Sequence, residues 1–400
     1  MHMLLGVGFV LANIIRVSPN LKLSGWRLEE PSPQVSYTAT SCDATPDCAA
    51  WCTERLVQDH DACDACACRL CLPCAHPVNR WTAPSGQVLF SITTRTEPRF
   101  VFAYNPLDKD MDRMAHQWVL EPALTLAWHD ATHACCRDRQ GLIMDVGGNF
   151  GWYTLYSIAL GCRVFVVEPI PAWLEILTLG VSLNPGFATR LEIFQNVVYP
   201  EPGNFTLRVP KPESHRHRHL GMTYMKGSAG KIKGYSHGET YSVIASAIKI
   251  DDLVRSDLCL LKADVEGYEP QVLRAAQRVF AEHRVFSIQL EMTKSGNAQQ
   301  TCASIKMLEH LHALGYQFKI AGHSLVYATK LPPVGKWRNS SGFSTLPDFP
   351  SKASRKRASR NGHTPMHEAY SSDFVSFSTN LFAIRVNWTA RVSQWPTLGC

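Results

Sequence analysis

The sequence lacks an apolar run long enough to cross a bilayer. The run from Met3 to Ile15 spans 13 residues, whereas a transmembrane helix needs about 20. Charge is also scarce, since charged residues make up 18% of the 400 and the net charge is +6. We therefore expect no nucleic-acid partner and no membrane span beyond an N-terminal leader. No segment repeats, which argues against a repeat array.

Cysteine, in contrast, is abundant and concentrated in one segment. Eight of the 14 cysteines lie between Cys42 and Cys74. Closely spaced cysteines can close a small, loop-rich module through disulfides in an oxidising compartment. They can also bind zinc, and two C-x-x-C pairs, which begin at Cys63 and Cys71, have a spacing suited to it.

The N-terminal run and three glycosylation sequons favour the disulfide interpretation. The run has the length of a signal-peptide core, and the sequons begin at Asn204, Asn339 and Asn387. We therefore expect disulfides, no metal, and a place in the secretory pathway, either in the Golgi lumen or secreted. A cytosolic protein whose cysteines hold zinc is the alternative.

Composition divides the chain into a small module, one large domain and connecting segments. In chain order these are a signal peptide or short anchor (1–17), a linker (18–40), a Cys-rich module (41–76), an α/β domain (86–330), a polar and basic insertion (331–372), and a last strand with a tail (373–400).

The large domain alternates short apolar runs with segments of helical spacing, after a small antiparallel preamble. Continuous apolar runs are typical of parallel strands covered on both faces, and a βαβ alternation specifies a doubly wound sheet. A hairpin within 205–250 interrupts the pattern. The predicted strands are 142–144, 164–167, 191–194, 258–261 and 285–290, and the predicted helices are 116–128, 152–160, 173–183, 270–282 and 302–314.

The first predicted strand ends in an acid, Asp145, and a glycine-rich turn follows it. Gly147, Gly148 and Gly151 allow a tight turn and a close approach to a ligand. A dinucleotide loop would need a glycine at Val146, and Asp145 would repel a diphosphate. The turn therefore favours a ligand that is positively charged, as S-adenosylmethionine is at its sulfonium and ammonium.

Polar residues also end the next two predicted strands. Glu168 follows the second strand, where a carboxylate can accept hydrogen bonds from both ribose hydroxyls. Asn196 follows the third strand and could bond the adenine edge, although a turn residue is an equal interpretation.

A second polar segment ends the fourth strand, where the cleft of a doubly wound sheet opens. It contains Lys262, Asp264, Glu266 and Glu269. Several buried carboxylates cost free energy unless they are paired or used. A salt-bridged strand end without function is the structural alternative.

These motifs together resemble the FkbM family of methyltransferases, over roughly residues 95–325 and the last strand near 380. They are Asp145-Val-Gly-Gly-Asn-Phe-Gly151, Val-Glu168-Pro, and Lys262-Ala-Asp-Val-Glu-Gly-Tyr-Glu269. The resemblance implies a class I methyltransferase (Rossmann-like) fold in which Asp145–Gly151, including Asn149, and Glu168 bind S-adenosylmethionine. One departure is Gly148, where the family commonly has alanine.

The predicted function is methyl transfer to a hydroxyl oxygen of a glycan or small metabolite. Asp264 and Glu266 are the candidate catalytic residues, because a carboxylate at the cleft can take the proton of the acceptor. A secreted binding protein with an inactive methyltransferase-like domain is the alternative, and a nicotinamide-dependent oxidoreductase is the other enzyme considered. The acceptor and the oligomeric state stay open.

Overall fold

The structure is a computed structural model that describes residues 14–15, 25–28, 78–108, 114, 118–211, 224–225, 240–293, 298–321 and 378–385. The Cys-rich module, the polar and basic insertion, and the sequons at Asn339 and Asn387 lie outside the described residues. Within those residues, no helix is long and apolar enough to span a membrane.

Sixteen strands occur in the described residues. In chain order they are β1 (Ile14–Ile15), β2 (Arg27–Leu28), β3 (Asn79–Thr82), β4 (Val88–Thr93), β5 (Val101–Tyr104), β6 (Leu142–Val146), β7 (Arg163–Val167), β8 (Leu191–Phe194), β9 (Val197–Val198), β10 (Asn204–Pro210), β11 (Tyr224–Met225), β12 (Thr240–Ile248), β13 (Leu258–Ala263), β14 (Val285–Thr293), β15 (Tyr316–Ile320) and β16 (Ser378–Arg385).

Seven α-helices occur in the same residues. In chain order they are α1 (Pro122–Arg139), α2 (Trp152–Ala159), α3 (Pro171–Ser182), α4 (Ile250–Leu253), α5 (Glu269–Arg274), α6 (Gln277–Glu282) and α7 (Ala298–Ala313). A single 3₁₀ turn, Phe187–Arg190, precedes β8.

The central sheet has eight strands in the order β1-β8-β7-β6-β13-β14-β16-β15. Strands β8, β7, β6, β13 and β14 are parallel, and β16 is antiparallel to both of its neighbours. All residues of β6 and β13 are buried, which is why both read as continuous apolar runs. The five predicted strands and the last strand are confirmed, and the sheet is doubly wound.

The chain leaves β6 towards β7 and β8 and later returns to β13 on the other side of β6. This reversal of strand order opens a crevice at the carboxyl ends of β6 and β13. Both polar segments singled out in the sequence follow these two strands. The sheet order therefore brings Asp145 and Lys262 into direct register.

Two smaller antiparallel sheets flank the domain. One contains the predicted preamble as β2-β3-β4-β5, and the other contains the predicted hairpin, β10 and β12, with β11 and β9 on its two sides. Two residues of the N-terminal apolar run, Ile14 and Ile15, pair with β8 at the edge of the central sheet.

Two predicted helices differ from the structure by more than a shift of their ends. The helix expected from His116 begins instead at Pro122 and continues to Arg139, because proline fits the first helical turn, where no N–H partner is needed. The helix expected over 270–282 is two helices, α5 and α6. The carboxylate of Asp251 accepts hydrogen bonds from the first-turn N–H groups of Arg278 and Val279 and so starts α6 anew.

Two disulfides lie inside the large domain, and the sequence reasoning missed both. The strand disulfide joins Cys135 of α1 to Cys259 of β13, and the turn disulfide joins Cys136 of α1 to Cys162, just before β7. Among the described residues no cysteine is free. The end of α1 is therefore covalently attached to β13 and to the residue that precedes β7, the two strands on either side of β6.

Candidate functional site

The glycine turn after β6 brings the backbone against the end of β13. Gly147 has φ +79°, and a Cβ there would overlap the backbone oxygen of Asp264. A Cβ on Gly148 would overlap the side chain of Val166. The N–H groups of both glycines donate to the carbonyl oxygen of Val167. The turn is thus packed between β7 and β13. Gly151, at the C-terminal end of the turn, immediately precedes α2.

Asp145 is fully buried beneath this turn. The Thr154 hydroxyl of α2 donates to its Oδ2 at 2.6 Å, and Lys262 Nζ lies 3.3 Å from its Oδ1. The carboxylate is therefore already paired within the protein. The charges of Asp145 and Lys262 therefore act together on a ligand, whereas the sequence analysis considered the two residues in separate motifs.

Lys262 connects the two motifs at the centre of the site. It is 3% exposed, its Nζ donates to the carbonyl oxygen of Gly147 at 2.7 Å, and it also lies 3.4 Å from Asp264 Oδ2. Burial by itself lowers the pKa of Lys262, but the attraction of Asp264 and Asp145 outweighs burial and raises it. One cation between two carboxylates leaves the group with a net negative charge.

Glu168 lies where the sequence predicts, at the end of β7, and is 1% exposed. Its Oε2 accepts a hydrogen bond from the N–H of Asn149 at 2.9 Å, and its Oε1 accepts one from Ile170 at 2.8 Å. Burial raises the pKa of Glu168 from 4.5 to about 8, against the lowering effect of these two N–H groups. Each oxygen keeps a lone pair for a further donor.

Two asparagines of the site carry a carbonyl oxygen without a hydrogen-bond partner. Asn196 is fully buried, and its amide nitrogen donates to the backbone and hydroxyl oxygens of Ser246, so that only Oδ1 is left to accept. Oδ1 of Asn149 is likewise buried and unpartnered. Such groups cost free energy unless a ligand or water pairs with them.

The loop after β13 holds three carboxylates in a constrained backbone. Glu266 has φ +55° and Gly267 has φ +95°. Left-handed backbone at a non-glycine residue is strained, and such strain clusters at functional sites. Glu269 Oε1 accepts hydrogen bonds from the N–H groups of Val265 and Gly267, both at 3.1 Å, and so holds the loop in place.

The same loop combines carboxylates of different proton affinity. Burial and the charges of Asp264 and Glu269 raise the pKa of Glu266 to about 8. Burial also raises the pKa of Glu269, to about 7. For Asp264, burial acts upward, but Lys262 and a hydrogen bond from Glu291 together lower its pKa. Asp264 is therefore the ionised member of the loop at neutral pH.

The structure places the predicted site residues after the carboxyl ends of β6, β7, β8 and β13, which are adjacent in the sheet, and two further residues contact them. Thr154 bonds Asp145, and Glu291 of β14 bonds Asp264, yet neither was singled out in the sequence. Glu291 follows the fifth apolar run, which is the pattern that identified Asp145, Glu168 and Asp264.

This arrangement suits a nucleoside with a positively charged thioether. The glycine turn gives close access, Glu168 can accept from ribose hydroxyls, and Asn196 Oδ1 can accept from an exocyclic amino group. The surplus carboxylate around Lys262 complements a sulfonium and an ammonium. The described residues contain no cluster of potential metal ligands.

One family model matches the part of the chain that contains this site. Residues 145–318 match the sequence model of the Methyltransferase FkbM domain, so the predicted resemblance is confirmed over that segment. A search of curated proteins finds no match.

Two of the solved structures that this chain matches are both methyltransferases by name. A methyltransferase FkbM from Methylobacillus flagellatus KT has 13% identity and a TM-score of 0.32, over 69% of this chain and 55% of that one. A precorrin-6y C5,15-methyltransferase from Geobacter metallireducens GS-15 has 12% identity and a TM-score of 0.28, over 66% of this chain and 87% of that one. The chain thus spans about half the length of the first of these structures.

Proposed function

We propose that the protein transfers a methyl group from S-adenosylmethionine to a hydroxyl oxygen of a glycan or small metabolite. The match of residues 145–318 to the Methyltransferase FkbM domain supports methyl transfer in general. One observation carries the proposal. The glycine turn, Glu168 and the unpartnered Oδ1 of Asn196 lie at the carboxyl ends of three adjacent parallel strands, β6, β7 and β8. This is where a doubly wound sheet binds a nucleoside.

The residues of this edge divide the parts of the donor among them. Glu168 would hold the ribose, and Asn196 would hold the adenine edge. The glycine turn would allow the methionine part of the donor to approach the backbone. There, the two negative charges of Asp145 and Asp264 outweigh the one positive charge of Lys262, so the net charge is negative. When bound, the donor supplies a methyl carbon attached to a sulfonium, which leaves as a neutral thioether.

The protein then has to align the acceptor and accept its proton. A carboxylate of the loop after β13, Asp264 or Glu266, takes the proton from the acceptor hydroxyl as the oxygen forms its bond to carbon. Asp264 is the better base at neutral pH, because Lys262 and Glu291 keep it ionised. Alignment of the acceptor oxygen with the donor methyl group contributes the larger share of the rate acceleration, because the reaction needs no other charge stabilisation.

Cysteine pairing supports a place in the secretory pathway. Every cysteine among the described residues is in a disulfide, including Cys302. Disulfides persist in oxidising compartments and are rare in the cytosol. The sequon at Asn204 begins β10, where its side chain is exposed, as a glycosylation acceptor requires.

The test starts with the donor. Calorimetric titration of the full chain with S-adenosylmethionine should give saturable binding to one site, and Glu168→Ala should weaken it strongly. Glu201→Gln is the matched control, because Glu201 is an exposed surface carboxylate paired with Arg274. If the wild-type protein binds no donor, the inactive binding protein becomes the better account.

A second experiment identifies the methyl acceptor. Methyl-labelled donor is supplied with a panel of neutral glycosides and small alcohols, and label transfer is followed. Asp264→Asn should lower the rate of transfer by about 10²–10⁴-fold, the usual contribution of a general base, and this loss should exceed any loss of donor affinity. Full transfer by this variant would remove Asp264 from the mechanism.

A further inference from the structure

The residue that precedes α1 has an unusual conformation and an unusual partner. Glu121 has φ +42° and ψ +68°, in the left-handed region, and its side chain makes no capping hydrogen bond at the start of the helix. Acidic residues in this position normally accept from the free N–H groups of the first turn. Glu121 Oε2 instead accepts a hydrogen bond from the Tyr153 hydroxyl at 2.8 Å.

This contact is part of a wider attachment between the first turns of α1 and α2. The Trp152 indole N–H donates to the Thr125 hydroxyl at 3.0 Å, and that hydroxyl donates to the backbone oxygen of Leu120 at 2.6 Å. The Trp128 ring packs on the Tyr153 ring with centroids 4.7 Å apart. The start of α1 is thus fixed against the residues that directly follow the glycine turn.

Tyr153 connects this attachment to the loop after β13. Burial raises the pKa of Tyr153 well above its usual value, and the negative charges of Glu121 and Asp264 raise it further. The tyrosine therefore stays protonated and donates to Glu121, while Asp264 lies within electrostatic range. A side-chain hydrogen bond with Thr125 acts on this pKa in the opposite direction, and it leaves the hydroxyl oxygen one lone pair to accept a further hydrogen bond.

We propose that Glu121 is a positioning residue of the site, which acts through the Tyr153 hydroxyl to fix the side of the crevice where the acceptor meets the reactive group of the donor. Glu121 lies outside residues 145–318, the segment that the family model matches. A non-glycine residue stays in the left-handed region only where its surroundings hold it, and the Tyr153 contact is one such restraint on Glu121. The inference rests on the proposed function and is tested separately from it.

The test compares two donor analogues and needs no acceptor. S-adenosylhomocysteine lacks the methyl group, whereas sinefungin carries an ammonium group in place of the methyl-bearing sulfonium. The ratio of their affinities therefore reports on the surroundings of the reactive group. Both are titrated calorimetrically into the full chain and into the variants Glu121→Ala, Glu121→Gln and Tyr153→Phe.

Tyr156→Phe is the matched control, because Tyr156 lies on the same helix and its hydroxyl bonds the backbone oxygen of Glu97. We expect Glu121→Ala and Tyr153→Phe to lower the preference for sinefungin about tenfold, the effect of one hydrogen bond to a charged group. The affinity for S-adenosylhomocysteine should stay constant. Glu121→Gln should retain the preference, because its amide oxygen still accepts from Tyr153.

Two results would overturn the inference in different ways. An unchanged ratio in Glu121→Ala and Tyr153→Phe, with S-adenosylhomocysteine still bound, would show that the contact only joins two helices. Failure of the wild-type protein to bind either analogue would refute the proposed function and this inference with it.

Discussion

Replacement of Lys262 by methionine tests the charge arrangement on which the site depends. Lys262 is 3% exposed and lies between Asp145, at 3.3 Å, and Asp264, at 3.4 Å. Methionine has a similar length and is apolar, so little packing is lost. The substitution leaves two carboxylates near each other without their cation and also removes the hydrogen bond to Gly147.

The expected cost is large because the pair is buried. Removal of one partner from a buried ion pair typically costs about 3–5 kcal/mol. The cost should depend on pH with a definite sign. Without Lys262, only the hydrogen bond from Glu291 still opposes the effect of burial on Asp264. The pKa of Asp264 is therefore higher in the folded variant than in the folded wild type, and the folded variant binds more protons as the pH falls. The stability of the variant therefore rises, relative to wild type, as the pH falls from neutral.

Equilibrium unfolding in urea, with the disulfides intact, measures this effect at neutral and at mildly acidic pH. The matched control is Arg274→Met, which breaks the exposed ion pair with Glu201 and should cost less than about 1 kcal/mol. If Lys262→Met costs no more than this control at neutral pH, Lys262 does not hold the two motifs together as argued.

Three further predictions follow from individual contacts. Gly148→Ala should destabilise the protein by about 1–3 kcal/mol, since its Cβ would overlap the Val166 side chain; adding Val166→Ala should recover much of the loss in urea unfolding. Burial raises the pKa of Glu168 from 4.5 to about 8. Between these two pH values the folded state therefore binds one proton more than the unfolded state. The free energy of unfolding should fall as the pH rises across that window, and Glu168→Gln should remove this slope. Removal of the strand disulfide, which closes 124 residues, should cost about 5 kcal/mol, against about 3.5 kcal/mol for the turn disulfide, which closes 26. Serine pairs compared by thermal unfolding check this order, and equal losses would contradict it.

The sequence alone determined the doubly wound sheet, the positions of its parallel strands and the residues at their ends. This was possible because strands buried on both faces have to be apolar throughout. A polar residue at the end of such a run, as at Asp145, Glu168 and Asp264, then stands out. The glycine spacing likewise reflects a backbone constraint that is local in sequence.

Only the tertiary structure decided which of these groups touch one another. The contact of Lys262 with both Asp145 and Asp264 depends on β13 lying beside β6, and strand order is not encoded in any local pattern. The same holds for the two disulfides, whose partners are 26 and 124 residues apart, and for the bond from Tyr153 to Glu121. Periodicity reports the environment of a single element, whereas partners are chosen by how whole elements pack.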